Sequence, residues 1–275
     1  MILIKKLKRE FKRPFNQFLN LLVSCKRFCG FYDRICISDT FFVVSPHEFW
    51  REFKKDGWEP CTFNCFKVHL NRDVTFIDIG AWVGLCSMWA TVIGCKKIYA
   101  VEANPRSYKF LQKTIDANKD LKDLVSLSNR CISDVNGTTI RFGRKLSSNS
   151  MISSEGHYSV TTTTLSAYVS HIGVCDNLFL KIDIEGAEEL ILDEFTSLGE
   201  SIQKLKIFLA LHPPFWKNKE STCLKLLKVC NNFQVTLSDG SSISESRLQE
   251  MILTEDNFPE WGTPYGNLFE ILLSK

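Results

Sequence analysis

The chain has 275 residues, 44% of them hydrophobic and 24% charged, and a formal net charge of +3. That is enough apolar material for one large core, and it excludes wholesale disorder. No apolar run reaches the roughly 18 residues that a membrane-spanning helix needs.

The charge is unevenly placed. Residues 1–27 carry eight Lys or Arg against the single acid Glu10, a local charge of +7 that leaves −4 for the rest. This reads as a basic arm on a slightly acidic body, with no nucleic-acid-binding face. The apolar patch from Phe15 to Val23 is broken by Asn16, Gln17 and Asn20, which makes it a poor secretory signal core. It reads instead as a basic amphipathic helix that packs on the body or makes peripheral contact with an anionic membrane. Residues 1–45 are expected to be this helical arm, and residues 46–275 the main domain. The eleven cysteines are odd in number and scattered, which suits reduced thiols and a cytoplasmic location. The pairs Cys25/Cys29 and Cys61/Cys65 have no His-x-x-x-His partner for a zinc site.

A helix is expected from about Ser45-Pro46, with Phe49, Trp50 and Phe53 at helical spacing. From Val74 the pattern is regular. "VTFIDIG" is a short strand and "VGLCSMWATVIG" a helix. "KIYAVEANP" is a second strand. In the helix that follows, Asn104 is the expected N-cap and Pro105 the first residue. "LVSLSNRCIS", the turn Asn136-Gly137 and "TTIRF" read as a small hairpin element. Ser147 to Gly156 reads as a mobile loop. "YSVTTTTL", "LFLKIDIEG", "KLKIFLALHPP", "FQVTL" and "NLFEILL" are further strands, with helices between several of them. This alternation predicts an α/β fold with a mostly parallel sheet covered on both faces.

Ligands of such sheets bind beyond the carboxyl ends of the strands. Asp78, Glu102 and Asp183 each end a predicted strand and so gather on one edge. In "DIGAWVG" an acid precedes a single close glycine, Gly80, and the next glycine is Gly84. A dinucleotide site wants a second close glycine for its pyrophosphate. An acid there repels phosphate and receives an ammonium. Glu102, 24 residues beyond Asp78, stands where an acid accepts the hydroxyls of a ribose. Together these suit a nucleoside with a cationic amino-acid tail, and S-adenosylmethionine has that composition.

"FIDIGAWVG", "AVEANP", "ISDVNGTTIRF" and "LFLKIDIEGAEELIL", in this order, resemble the FkbM-type S-adenosylmethionine-dependent methyltransferases, over roughly Asp73 to Pro213. The resemblance implies a class I methyltransferase fold, Rossmann-like, with seven strands of which the last is antiparallel. It also implies O-methylation, commonly of a sugar or polyketide hydroxyl. By position, Asp78 and Gly80 would hold the methionyl end of the cofactor and Glu102 its ribose. Asn129, Arg130 or Ser133 would sit near the adenine. Glu59, in "WEP", would approach the cofactor, and Gly84 and Asn104 complete the candidate cofactor-binding set. Asp183 and Glu185 would face the transferred methyl.

Two positions depart from the family pattern. Thr164-Leu165-Ser166 lacks the family's acid, and Ala210 replaces the acid that often ends the fifth strand. His212 remains. The candidate catalytic residues are therefore Asp183, Glu185 and His212, of which His212 has the most suitable ordinary pKa for a base, about 6.5. Glu188 and Glu189 read as helix-terminus charges. The cofactor is expected to bind without metal; a divalent ion on Asp183 and Glu185 is the alternative. The acceptor is expected to be a glycan or small molecule, selected by the Ser147–Gly156 loop and the segment from Ser241 to Tyr265. The rival reading keeps the fold and the cofactor but not turnover.

Overall fold

The computed structural model describes residues 19–26, 28–56, 58–142, 158–173, 176–254 and 270–275. The Ser147–Gly156 loop and residues 255–265 of the second candidate specificity segment lie outside these. Among the described residues no helix is long and apolar enough to cross a membrane.

Residues 19–26 are helical, but the arm is not helical throughout. Strands β1 (Asp33–Ile37) and β2 (Thr40–Val44) form an antiparallel hairpin. Its inner side chains Ile35, Ile37, Phe42 and Val44 are buried. Asn118 clamps it to the body, accepting from Val43 N at 2.9 Å and donating to Val43 O at 2.7 Å. The hairpin is therefore part of the main body, and a boundary at residue 45 cuts through a packed unit. Alternation of β-branched and aromatic residues about the Ser38-Asp39 turn was the signal for it.

The strands of the main sheet are β3 (Thr75–Ile79), β4 (Lys97–Val101), β5 (Val125–Ser128), β9 (Asn177–Ile182), β10 (Lys204–Ala210), β11 (Gln234–Leu237) and β12 (Glu270–Ser274). Their order across the sheet is β11-β12-β10-β9-β3-β4-β5. β12 runs antiparallel between β10 and β11, and β10, β9, β3, β4 and β5 are mutually parallel. This is the seven-stranded arrangement that the family resemblance implies.

Both faces of the sheet are covered. Leu178, Leu180 and Ile182 of β9 join one core, with Ile207 and Leu209 of β10 and Ile271 and Leu273 of β12. Phe179, Phe208 and Leu272, at the alternate positions, join the other, as the twofold period of strands requires. On that second face the ring of Phe66 lies 5.4–5.7 Å from those of Phe76, Phe179 and Phe208. These contacts seat the helix Pro60–His69, which places Glu59 at the sheet edge.

The segment around Asn136-Gly137 is not a hairpin. β6 (Cys131–Ile132) pairs parallel with β8 (Tyr158–Thr163), and β7 (Thr139–Phe142) pairs with the same strand antiparallel. Both flanking strands thus bond to a third, a long-range pairing that a local turn signal does not carry. Asn104 caps the helix Pro105–Asp116 as expected, accepting from Arg106 N. At Thr164-Leu165-Ser166 an acid from another helix, Glu194–Ser201, meets the backbone. Glu194 accepts from Leu165 N at 3.0 Å and from Ser166 N at 2.7 Å.

Candidate active site

The ends of β3, β4, β9 and β10 open on a cavity of about 720 Å³ lined by Glu59, Gly80, Trp82, Glu102, Asp183 and His212, among others. Gly80 makes the close approach here. At φ +80 it turns against β9, where a Cβ would fall 1.8 Å from the Asp183 carbonyl oxygen. No residue with a side chain fits this turn.

Glu102 closes β4 with its carboxylate held by backbone. Oε2 accepts from Trp82 N and Oε1 from Asn104 N, both at 2.7 Å. Burial pushes its pKa up to about 7 against these hydrogen bonds. Asn129 braces the same bend by donating to Glu102 O at 2.8 Å. Arg130 lines the cavity. Ser133 is buried with its hydroxyl on Asp134, and neither it nor Asn129 is among the lining residues.

Asp78, expected at the methionyl end, is fully buried and does not line the cavity. It lies beneath the floor, where Oδ2 accepts from Ser87 Oγ at 2.7 Å and Oδ1 lies 3.3 Å from Lys181 Nζ. Gly84, at φ +95, serves packing: a Cβ would meet Leu111 at 2.7 Å. Asn104 acts through its backbone and cap, outside the lining.

Lys181 is a functional residue that the sequence reading passed over. It shares the inward face of β9 with Phe179, so its ammonium enters the core. Nζ donates to Gly80 O at 3.1 Å and lies 3.3 Å from both Asp78 Oδ1 and Asp183 Oδ2. Burial opposes its charge, yet the carboxylates of Asp183 and Asp78 prevail and hold its pKa well above the ordinary lysine value. The acid pattern around it, Asp78 on β3 and Asp183 two residues on, was the available signal, because a buried lysine needs such partners.

Asp183, Glu185 and His212 converge. His212 Nε2 lies 3.6 Å from Asp183 Oδ1 and 3.8 Å from Glu185 Oε2. Their ligating atoms all fall within 4.8 Å of one another. Burial would raise the pKa of Asp183, but Lys181 and His212 carry it below the ordinary value. Burial and the Asp183 charge push Glu185 up to about 7.

Glu188 is no helix-terminus charge. It is fully buried, and its Oε1 accepts from His212 N at 2.6 Å and from Trp216 Nε1 at 3.1 Å, and lies 3.2 Å from His212 Nδ1. Its Oε2 accepts from Gly186 N at 2.8 Å. Burial opposes a charge on His212, but the hydrogen bond to Glu188 and the charges of Glu188, Asp183 and Glu185 raise its pKa to about 9. The ordinary value near 6.5, used to single it out as a base, does not apply in this setting. Glu189 also departs from the helix-terminus role, accepting from Lys217 N at 3.0 Å.

A further acid pair joins half-buried Glu59 on the cavity wall to buried Glu270. The Thr62 hydroxyl lies 2.8 Å from Glu270 Oε1 and 3.3 Å from Glu59 Oε2. Burial and the Asp183 charge push Glu59 up to about 7, and burial with the Glu59 charge raises Glu270 well above the ordinary carboxyl value.

The model of the methyltransferase FkbM domain matches residues 78–229, more than half of the chain. The chain belongs to the FkbM methyltransferase family. That family is one of S-adenosylmethionine-dependent methyltransferases. No curated protein matches it. Among solved structures it is similar to an FkbM methyltransferase from Methylobacillus flagellatus, at 15% identity over 79% of this chain with a TM-score of 0.46. This chain spans 48% of that protein. A TehB-like methyltransferase from Corynebacterium glutamicum aligns at 8% identity over 82% of this chain and 92% of its own, with a TM-score of 0.40. A Streptococcus mutans protein in complex with S-adenosylhomocysteine (SAH) aligns at 10% identity over 78% and 95%, with a TM-score of 0.40.

The donor set of this FkbM chain fits the cofactor. The cavity lies within the roughly 300–1,000 Å³ range of small-molecule sites. Glu102 would offer carboxylate lone pairs to ribose hydroxyls, and Glu59, which lines the cavity, would meet a cationic tail. When bound, S-adenosylmethionine supplies a methyl group on a sulfonium, already activated for transfer. The chain's own task is to orient the acceptor and to manage its proton.

Proposed function

We propose that this FkbM methyltransferase is an O-methyltransferase that acts on a sugar hydroxyl of a glycan or glycolipid. The carrying observation is the convergence of Asp183, Glu185 and His212 on the wall of the cofactor cavity. An alcohol is a poor nucleophile at neutral pH, and a cluster that orients it and stabilises loss of its proton contributes about 10²–10⁴-fold. Carboxylates suit this place because they also favour a sulfonium nearby. The rings of Phe49, Trp58, Trp82 and Phe215 line the same cavity. Flat apolar faces beside carboxylates suit a sugar, whose C–H faces lie on rings while its hydroxyls donate to acids.

We also propose that the N-terminal region brings the enzyme to an anionic membrane that carries the acceptor. Phe28, Phe31 and Phe41 are 94%, 64% and 75% exposed and follow the +7 segment in sequence, which combines apolar anchors with basic charge.

The test is incubation with S-adenosylmethionine and three acceptor panels: free and lipid-linked sugars, phenolic and polyketide alcohols, and peptides. A mass gain of one methyl group on a sugar hydroxyl is the expected result. Methylation confined to a non-sugar panel would replace the acceptor. SAH binding with no turnover in any panel would leave a cofactor-binding protein.

A further inference from the structure

We infer that Asp183, Glu185 and His212 form a binding site for a hard divalent cation, of the Mg²⁺ or Mn²⁺ class, at the acceptor end of the cavity. The inference rests on the proposed function for what the cation would do there, though not for the site itself.

Four observations carry it. The first is the ligand set. Two carboxylates and one imidazole offer atoms within 4.8 Å of one another. Cations of this class bind at about 2.1 Å, so that two adjacent ligands end up about 3 Å apart. His212 Nε2 already lies 3.6 Å from Asp183 Oδ1 and 3.8 Å from Glu185 Oε2, so each of these two gaps closes with a shift of under 1 Å.

The second is a division of labour within Asp183. Oδ2 faces Lys181 Nζ at 3.3 Å and Oδ1 faces His212. The lysine steadies the carboxylate through one oxygen and leaves the other for the cluster.

The third is the outer partner of the imidazole. Glu188, fully buried and held by three further donors, meets His212 Nδ1 at 3.2 Å. A carboxylate on Nδ1 orients the ring, presents Nε2 to the other side and raises its basicity, which is the usual second-layer contact of a metal-ligating histidine.

The fourth is an oxygen that the protein leaves unsatisfied. Glu185 Oε2 is a buried atom with no hydrogen-bond partner among the described residues, although it points at the same centre. A buried carboxylate oxygen in that state calls for a ligand.

Two carboxylates neutralise a divalent charge, and the imidazole, which the surrounding acids keep protonated in the free protein, gives up its Nε2 proton to solvent as the ion binds. Three protein ligands leave positions open on an ion that prefers six. An acceptor hydroxyl in one of them becomes more acidic. As the oxygen–carbon bond forms, the hydroxyl proton leaves to water, the sulfur–carbon bond breaks, and the sulfonium departs as a neutral thioether. The side chains then act as ligands, and the hydroxyl's own acidity replaces a strong side-chain base.

The experiment is titration of the purified full-length protein with Mn²⁺, following loss of the free-ion signal by electron paramagnetic resonance. One ion per chain, displaced by excess Mg²⁺, is expected. Glu185→Gln and His212→Ala should each weaken it by at least tenfold, and Glu188→Gln by about 10–100-fold. SAH binding and melting curves on each variant report that the fold is retained. Absence of Mn²⁺ binding in the millimolar range, or binding that ignores all three substitutions, would overturn the site. The two proposals separate cleanly. Sugar methylation at full rate in chelator removes the cation and keeps the acceptor, whereas stoichiometric Mn²⁺ with no sugar product keeps the cation and removes the acceptor.

Discussion

The cavity has two ends built on different principles. At the cofactor end, Glu102 is held by two backbone N–H groups, each at 2.7 Å. At the acceptor end, Asp183, Glu185 and His212 are held chiefly by one another, by Lys181 and by Glu188, the one member that backbone N–H groups, of Gly186 and His212, anchor in turn. A carboxylate fixed by backbone keeps its place whatever its neighbours become. A carboxylate fixed by side chains depends on every member of its network. Substitutions at the first end should therefore act singly, and those at the second should spread.

The largest expected effect is at Asp183. Asp183→Asn keeps the shape but removes the charge that faces Lys181 and His212. Single-turnover methyl transfer should fall by about 10²-fold or more, with cofactor affinity and fold retained. Loss of SAH binding in proportion to activity would make Asp183 a cofactor ligand and erase the distinction between the two ends.

Glu188→Gln comes next. The amide keeps one acceptor but lacks the charge that holds His212. Turnover should drop by about tenfold, and unfolding free energy by about 1–3 kcal/mol, since the residue is buried with four donors around it. A double-mutant cycle with His212→Ala sharpens the contrast, because coupling between the two should exceed that of Glu102 with either.

At the other end, Glu102→Ala should weaken SAH binding by roughly 1.5–3 kcal/mol, as read by calorimetry. Its pH dependence has a definite sign. With a pKa near 7, Glu102 is ionised above that value, so if it accepts the ribose hydroxyls as proposed, SAH affinity should be highest at pH 8 and fall through pH 7 toward pH 6. The same raised pKa acts oppositely on the unliganded protein. The folded state holds this proton more tightly than the unfolded one, so the residue's contribution to stability declines as pH rises from about 4.5 to 7.

The smallest effect on the chemistry should come from deleting residues 1–27. Turnover on a soluble acceptor should stay unchanged, while sedimentation with anionic liposomes falls, at about 1 kcal/mol per basic residue at the surface. Unchanged sedimentation would make the arm purely structural.

The cofactor end was largely legible from sequence, because its elements are local: a strand, one glycine, an acid ending the next strand. Glu102, Gly80 and the capped helix after Asn104 follow from spacing and turn chemistry. The acceptor end was legible only in part. Asp183, Glu185 and His212 could be named, but Glu188 looked like a helix-terminus charge. Its partners His212 and Trp216 lie 24 and 28 residues away, and no local pattern carries such a pairing. Asp78 was misplaced for a related reason. Its position at a strand end gave the edge correctly, but not that the side chain points down to Ser87 and Lys181. The hairpin β1–β2 has only five residues in each strand, too short a signal to stand against the basic, helix-favouring residues before it.

The position of β12 bears on how the cavity comes into being. This strand is the last in chain order, yet it lies between β10 and β11, and its first residue, Glu270, reaches Thr62 across 208 positions of sequence. Until it inserts, two strand edges stand open, and such edges invite pairing with other chains. The helix that follows Glu59 is seated on β3, β9 and β10 through Phe66, but its Thr62 contact waits for β12. The wall behind the cofactor is thus assembled by a contact of very long sequence separation, the kind that forms late and slows folding. Chains stalled before that step would expose aggregation-prone edges and lack a finished methyl-donor pocket at the same time.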